Sequence, residues 1–193
     1  RFIIFDFTGA DLSYADFDHA RLPFTVLTDT IVKHTNFHDA NLEGVDLSYK
    51  DLTGTMLTEA SLTDANLTGV DLSGKDLTGT ILTGADLSGK DLTGTILTGA
   101  DLTDANLTGV DLSGKDLTWT ILTNANIENT ILTNTILDCV GNSVCSIMDL
   151  NEMTLTGKDL AYANLTGVDL SGKDLTGTIL TGADLSGKDL TGT

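Results

Sequence analysis

The sequence predicts an all-β solenoid, a coil with flat sides and tight corners, and three observations carry that prediction. Large apolar residues recur every five positions, from Phe2, Phe7, Leu12 and Phe17 through Leu137, and again from Leu150 to Leu190. Such a period matches neither the helix, at about 3.6, nor the simple strand, at about 2. A helix with this spacing would smear its leucines around the whole circumference, and abundant Thr and Gly disfavour it further. The residue two places after each apolar centre is usually Gly, Asn or Asp, the types that best tolerate positive φ. That slot is the corner.

Each pentad then has a defined shape. Two residues before the centre stands a small or β-branched residue, as at Ala60, Ala65, Val70, Thr80 and Ala85. One before is usually Asp or Asn, and one after is Thr or Ser. The centre and the small residue point inward, while Asp and Thr point out.

The units ANLTG, ADLSG, VDLSG and ADLTD resemble the pentapeptide repeat family, with 28 centres from position 2 to 137 and 9 from 150 to 190. The resemblance implies a right-handed quadrilateral parallel β-helix with four pentads per coil. About nine coils at a strand spacing of ~4.8 Å give a rod of roughly 43 Å.

One slip interrupts the register. Leu137 and Leu150 are 13 residues apart, which is no multiple of five, and CVGNSVC lies between them. The expected organisation is therefore a β-helix over 1–137 with an aromatic-rich N-terminal end, a loop over 138–149, and a continuation of the β-helix over 150–193. Cys139 and Cys145 could close the loop as a disulfide resting on Trp119, which precedes Cys139 by one coil. The alternative is two free cysteines, one filling an inward slot. A disulfide would favour an oxidising, extracytoplasmic compartment; two cysteines are too few for a zinc site.

The first fifty residues are more varied. Phe17 and Phe37 are one coil apart and are expected to stack, widening an aromatic-filled end. His19 and His38 should fall near one another, with His34 around the corner. Asn66, Asn106 and Asn164 each stand in Asn-Leu-Thr, formally a glycosylation acceptor but here a by-product of the repeat.

Seven of the eight lysines occupy the small inward slot: Lys50, Lys75, Lys90, Lys115, Lys158, Lys173 and Lys188. They recur within a 15-residue tile, DLSGKDLTGTILTGA, that runs from Asp71 to Ala85 and again from Asp86 to Ala100. Burying an unpaired ammonium costs several kcal/mol, so seven dry, unpaired lysines would exceed the whole stability of a typical domain, ~5–15 kcal/mol. They must be neutral, paired or able to reach water. A 15-residue tile on a 20-residue coil steps back one side per copy, which keeps the lysines from stacking on one another. The expectation is a stem along the corner, with its ammonium emerging to meet Asp or backbone carbonyls, and threonine hydroxyls as second partners.

The function classes narrow accordingly. A net charge of -18 over 193 residues excludes a direct phosphate-backbone binder, and no apolar run approaches a membrane span. No nucleophile–base pair, phosphate loop or cofactor motif appears, so no enzyme, metal or cofactor is expected. The chain starts at Arg1 and stops halfway through a pentad, while residues 168–193 duplicate 70–95 unchanged. Those features suggest a fragment of a longer array, a missing cap or end-to-end association. The expected role is an acidic structural or protein-interaction scaffold, its ligand a protein partner or its own copies. The resemblance adds an alternative, a DNA mimic that binds gyrase as quinolone-resistance relatives do. Cation binding by ladders such as Asp71, Asp91 and Asp111 is a weaker alternative.

Overall fold

Parallel β-bridges pair residues 20 apart, as in Asp6↔Val26, Asn41↔Ser61, Ile81↔Asp101 and Asp111↔Ile131. The computed structural model describes residues 4–132, 135, 155–157, 160 and 170–193. Over these the chain winds as a right-handed quadrilateral β-helix. Each side is one short extended piece and each corner is a turn.

The corner follows from local chemistry. The N–H of each inward residue closes back on the carbonyl of the preceding centre, as in Val45 N–H to Leu42 O at 3.1 Å and Thr80 N–H to Leu77 O at 3.0 Å. The residue in between takes positive φ, from +49° at Asp39 to +76° at Gly192, as the third residue of a type II turn does. Gly, Asp and Asn fill most of these positions. Tyr14, Phe24, Tyr49 and Trp119 also do so, with φ between 55° and 63°, although bulky residues avoid this region.

Neighbouring coils are joined by a repeated pair of bonds. Leu42 N–H donates to Ser61 O at 2.8 Å, and Ser61 N–H donates to Ala40 O at 2.9 Å. The four columns of centres fill the interior, and Leu62, Leu77, Leu82 and Leu87 are wholly buried. Phe7, Phe17 and Phe37 take the place of leucine at the N-terminal end; the Phe17 and Phe37 rings stack at 5.5 Å with planes 12° apart.

Inward threonines solve a second problem. A centre carbonyl already holds one turn bond and has a lone pair to spare. Thr80 Oγ1 donates to Leu57 O at 2.9 Å, and Thr95 Oγ1 to Leu72 O at 2.7 Å, each reaching back 23 residues into the preceding coil. These two buried hydroxyls are thus paired rather than stranded, whereas that of Thr25 has no partner among the described residues.

Residues 155–193 keep the same register where described, with Leu160 N–H on Ile179 O at 2.8 Å and Gly172 N–H on Thr191 O at 3.0 Å. The loop expected over 138–149, with Cys139 and Cys145, lies outside the described residues, as do Lys158 and Asn164. No helix among the described residues is long and apolar enough to cross a membrane.

Candidate interaction surface

The chemistry of this chain is carried on four flat sides, each presenting the residue before and the residue after a buried centre. Taken by the residue before the centre, side 1 runs from Asp6 to Asn126, side 2 from Asp11 to Ile131, side 3 from Asp16 to Asp116 and side 4 from Arg21 to Ile121, in steps of 20. Thr or Ser usually follows the centre, and Asp or Asn usually precedes it. The carboxylate bends back: Asp71 Oδ1 accepts the Ser73 N–H at 2.9 Å, and Asp91 Oδ1 accepts the Thr93 N–H at 2.8 Å. Asn66 and Asn106 accept from Thr68 and Thr108 in the same way, at 3.0 and 3.1 Å, so an amide is interchangeable with a carboxylate for this bond. Asn106 also gives its amide N–H to Asp86 Oδ1 at 3.1 Å.

These bonds fix the acid side chains electrostatically. Hydrogen bonds from the Ser73 side chain and then its backbone hold Asp71 below the usual carboxylate range, against opposing effects of desolvation and then Asp91. Asp86, Asp91 and Asp111 are lowered for the same reason, the Ser or Thr two residues on. Asp51 is lowered furthest, chiefly by the Lys33 ammonium at 2.7 Å. Asp51, Asp71, Asp91 and Asp111 form an uninterrupted acidic column on side 2.

Side 2 differs from the others in its backbone too. Asp11↔Ile31 and Asp111↔Ile131 are bridged, but no bridge joins 31, 51, 71, 91 and 111 in between, whereas side 4 is bridged throughout from Arg21 to Ile121. Shallow grooves open along this stretch. One of about 480 Å³ runs between Lys50 and Lys75 beside Tyr49, Asp51 and Asp71, and another of about 200 Å³ lies between Lys90 and Lys115.

The lysines border these grooves, and their acceptors are carbonyls. Lys50 Nζ donates to Thr30 O at 3.0 Å and Lys115 Nζ to Thr95 O at 2.9 Å. In a bridged coil that carbonyl takes the N–H of the next residue one coil on, as Ala10 O takes Ile31 N–H. Lys75 donates to Leu52 O, and Lys90 to Leu67 O at 2.8 Å with a longer bond to Val70 O at 3.3 Å. Leu52 O and Leu67 O lie 23 residues back, in the position that threonine hydroxyls use elsewhere. Lys75 and Lys90 are therefore long-armed substitutes for the inward threonine.

Of the two expected partners, Asp or backbone carbonyls, the ammonium groups of these four lysines meet the carbonyls. Among residues 4–132 the ion pairs are Lys33 with Asp51 and His19 with Asp18 and Asp39; Lys50, Lys75, Lys90 and Lys115 make none. Their stems are half-buried, and the nearest oxygens along such a stem are main-chain ones. Burial lowers all four ammonium pKa values, with neighbouring Asp opposing it. Lys173 and Lys188 are half-buried as well. The broken ladder is not peculiar to lysine, because Asp46 and Asp86, after Val45 and Ala85, also lack a bridge to the preceding coil.

Corner columns hold what the sequence reading missed. The Phe24 ring lies over Gly44, His34 over Gly54 and Tyr49 over Gly69, each one coil on. Tyr14 stacks on His34 at 4.8 Å, planes 4° apart. The available signal was a bulky corner residue followed 20 positions later by Gly. Trp119 also stands at a corner, 39% exposed, its Cβ 4.0 Å from where a Cβ on Gly99 would sit. His19 and His38 meet edge-on at 5.7 Å, and no group of three or more metal-ligating side chains forms among the described residues.

No curated protein matches the chain. Among solved structures it is similar to HetL, a pentapeptide repeat protein involved in heterocyst differentiation regulation from the cyanobacterium Nostoc sp. strain PCC 7120. The identity is 29%, over 97% of this chain and 87% of that one, with a TM-score of 0.49. It is also similar to full-length QnrB1, a plasmid-mediated fluoroquinolone resistance protein, at 18% identity over 98% and 90% of the two chains, TM-score 0.23. A pentapeptide repeat protein of the Arabidopsis thaliana thylakoid lumen matches at 23% identity over 76% and 74%, TM-score 0.27. The family model for pentapeptide repeats (8 copies) matches residues 6–44, 35–74, 60–99, 100–138 and 159–193, and the chain belongs to the pentapeptide repeat family.

Proposed function

We propose that this chain is a non-enzymatic acidic rod that serves as a structural or protein-interaction scaffold, alone or within a longer repeat array. The observation that carries this reading is where the polar groups go. Inward hydroxyls and ammonium groups are spent on carbonyls of the preceding coil, and the outward carboxylates are each tied by one oxygen to their own turn. The second oxygen is left to face a partner from a fixed position, except at Asp51, where it meets Lys33. Such a surface is suited to presenting charge, not to turning over a substrate. A protein partner or further copies of the rod are its ligands. Light scattering after size exclusion, with electron microscopy across protein concentration, tests it; a rod that stays monomeric and retains no partner counts against the scaffold.

A second reading, mimicry of DNA toward gyrase, draws on the Asp51–Asp71–Asp91–Asp111 column. A charge of -18 over roughly 43 Å is about one charge per 2.4 Å, against ~1.7 Å for duplex DNA. Acidic positions on the other three sides weigh against a single DNA-like face. Inhibition of gyrase supercoiling at low protein concentration would favour this reading over the scaffold. Calcium binding by the same column is the weaker alternative, and calorimetric titration would reveal it.

A further inference from the structure

One corner column reads His19, Asp39, Glu59 and Gly79, each residue one coil beyond the last. His19, Asp39 and Glu59 all have positive φ, 55°, 49° and 61°, so their side chains leave the coil in the same direction. His19 Nδ1 lies 2.6 Å from Asp39 Oδ2, and its Nε2 lies 3.5 Å from Asp18 Oδ2. One imidazole thus stands between two carboxylates, one on its own coil and one on the next. Glu59 adds a third negative charge, and its Cγ sits 3.1 Å from where a Cβ on Gly79 would be.

Immediately inside this corner is the Phe17–Phe37 stack, because His19 follows Phe17 by two residues and Asp39 follows Phe37 by two. The corner's own main-chain tie is His19 N–H to His38 O at 2.9 Å. His38 is the remaining titratable neighbour. Its Nδ1 faces both Thr58 O at 2.9 Å and Thr58 Oγ1 at 2.8 Å, neither of them a charged group. His19, by contrast, is set between carboxylates: its Nδ1 donates to Asp39 in either charge state, and protonation adds the positive charge and an Nε2 proton toward Asp18.

We infer that the His19 corner is a proton-operated clasp that fastens the coil bearing Phe17 to the coil bearing Phe37. Protonated His19 bridges Asp18 and Asp39. Once neutral, it leaves Asp18, Asp39 and Glu59 as an uncompensated group of like charges beside the stack. The sign is that of a group whose folded pKa is raised, here by the Asp39 hydrogen bond first and Asp18 next. The clasp is tightest below the ordinary histidine value and loosens as pH rises through the raised one.

The test is amide exchange in residues 17–20 between about pH 5.5 and pH 8, corrected for intrinsic rates, alongside an NMR titration of the three histidines. Exchange should speed up by about twofold to fivefold at the higher pH, the size expected of an exposed pair. The acceleration should be lost in His19→Asn and in Asp39→Asn, and kept in His38→Gln. The His19 midpoint should fall in Asp39→Asn. Exchange with the same corrected pH dependence in wild type and His19→Asn would overturn the clasp, as would its loss in His38→Gln.

Discussion

The ring of Phe24 lies across Gly44, in the space that a side chain at position 44 would need. Coils are only ~4.8 Å apart, so two bulky side chains leaving one corner column in the same direction compete for the same room. Tyr14 and His34 resolve the competition by stacking flat; Phe24, His34 and Tyr49 resolve it by covering a glycine. The glycine gives both the positive φ and the vacancy.

Replacing Gly44 by Ala should therefore destabilise more than replacing Gly74, whose corner is open. Both changes place Ala at positive φ, at a cost of about 1–2 kcal/mol. Gly44→Ala adds displacement of the Phe24 ring. Urea denaturation of Gly44→Ala, Phe24→Ala and the double variant should show coupling between the two positions, whereas Gly74→Ala should be additive with Phe24→Ala.

The shared acceptor of lysine and threonine predicts a tolerant exchange. Lys75→Thr should leave stability unchanged or slightly raised, because a hydroxyl in that slot is positioned to donate to Leu52 O as Thr95 does to Leu72 O. Lys75→Met, similar in length but without a donor, should cost about 1 kcal/mol. Thermal midpoints of the two variants check the order, and a more stable Met variant would remove the hydrogen-bond argument.

The wholly buried threonines allow a cleaner measurement. Thr80→Val preserves shape and deletes only the bond to Leu57 O, so a loss of about 1 kcal/mol is expected. Phe37→Ala, by contrast, empties the aromatic stack and should cost about 3–5 kcal/mol. Denaturant midpoints for both would compare hydroxyl pairing with ring burial in one interior.

Acid should act through the turn carboxylates. Asp71, Asp86, Asp91 and Asp111 have lowered folded pKa values, so their contribution is present above the ordinary value of about 3.9 and is lost as pH falls through the lowered ones. Relief of the rod's like-charge repulsion runs the other way. Multiple Asp→Asn replacement in the tiles should flatten the acid limb between about pH 4 and pH 2, because Asn66 and Asn106 accept the same turn bond without titrating. Thermal melting across that range would show it.

Much of this architecture is legible in the sequence because the five-residue period is long, regular and incompatible with helix. Leucine centres, positive-φ corners and outward Asp all follow from residue types within a single pentad. Which carbonyl each lysine meets does not, since a sequence shows side chains and Leu52 O is a main-chain atom 23 residues away. The large corner residues were hidden for a different reason: conformational preference argues against Tyr14, Phe24 and Tyr49 at positive φ. They are held there by the coil on either side, which local propensity cannot register.

The 15-residue tile has a consequence for growth. Four tiles and three coils both span 60 residues, so a decoration carried by the tile winds around the rod and returns to its starting side only after three coils. Adding or deleting one tile leaves every leucine in the interior, because 15 is a multiple of five. It nevertheless turns everything beyond the insertion by a quarter of a revolution. Copy number in such a chain thus sets azimuth as well as length, and a partner that reads one side would lose its site by a single tile and regain it after four.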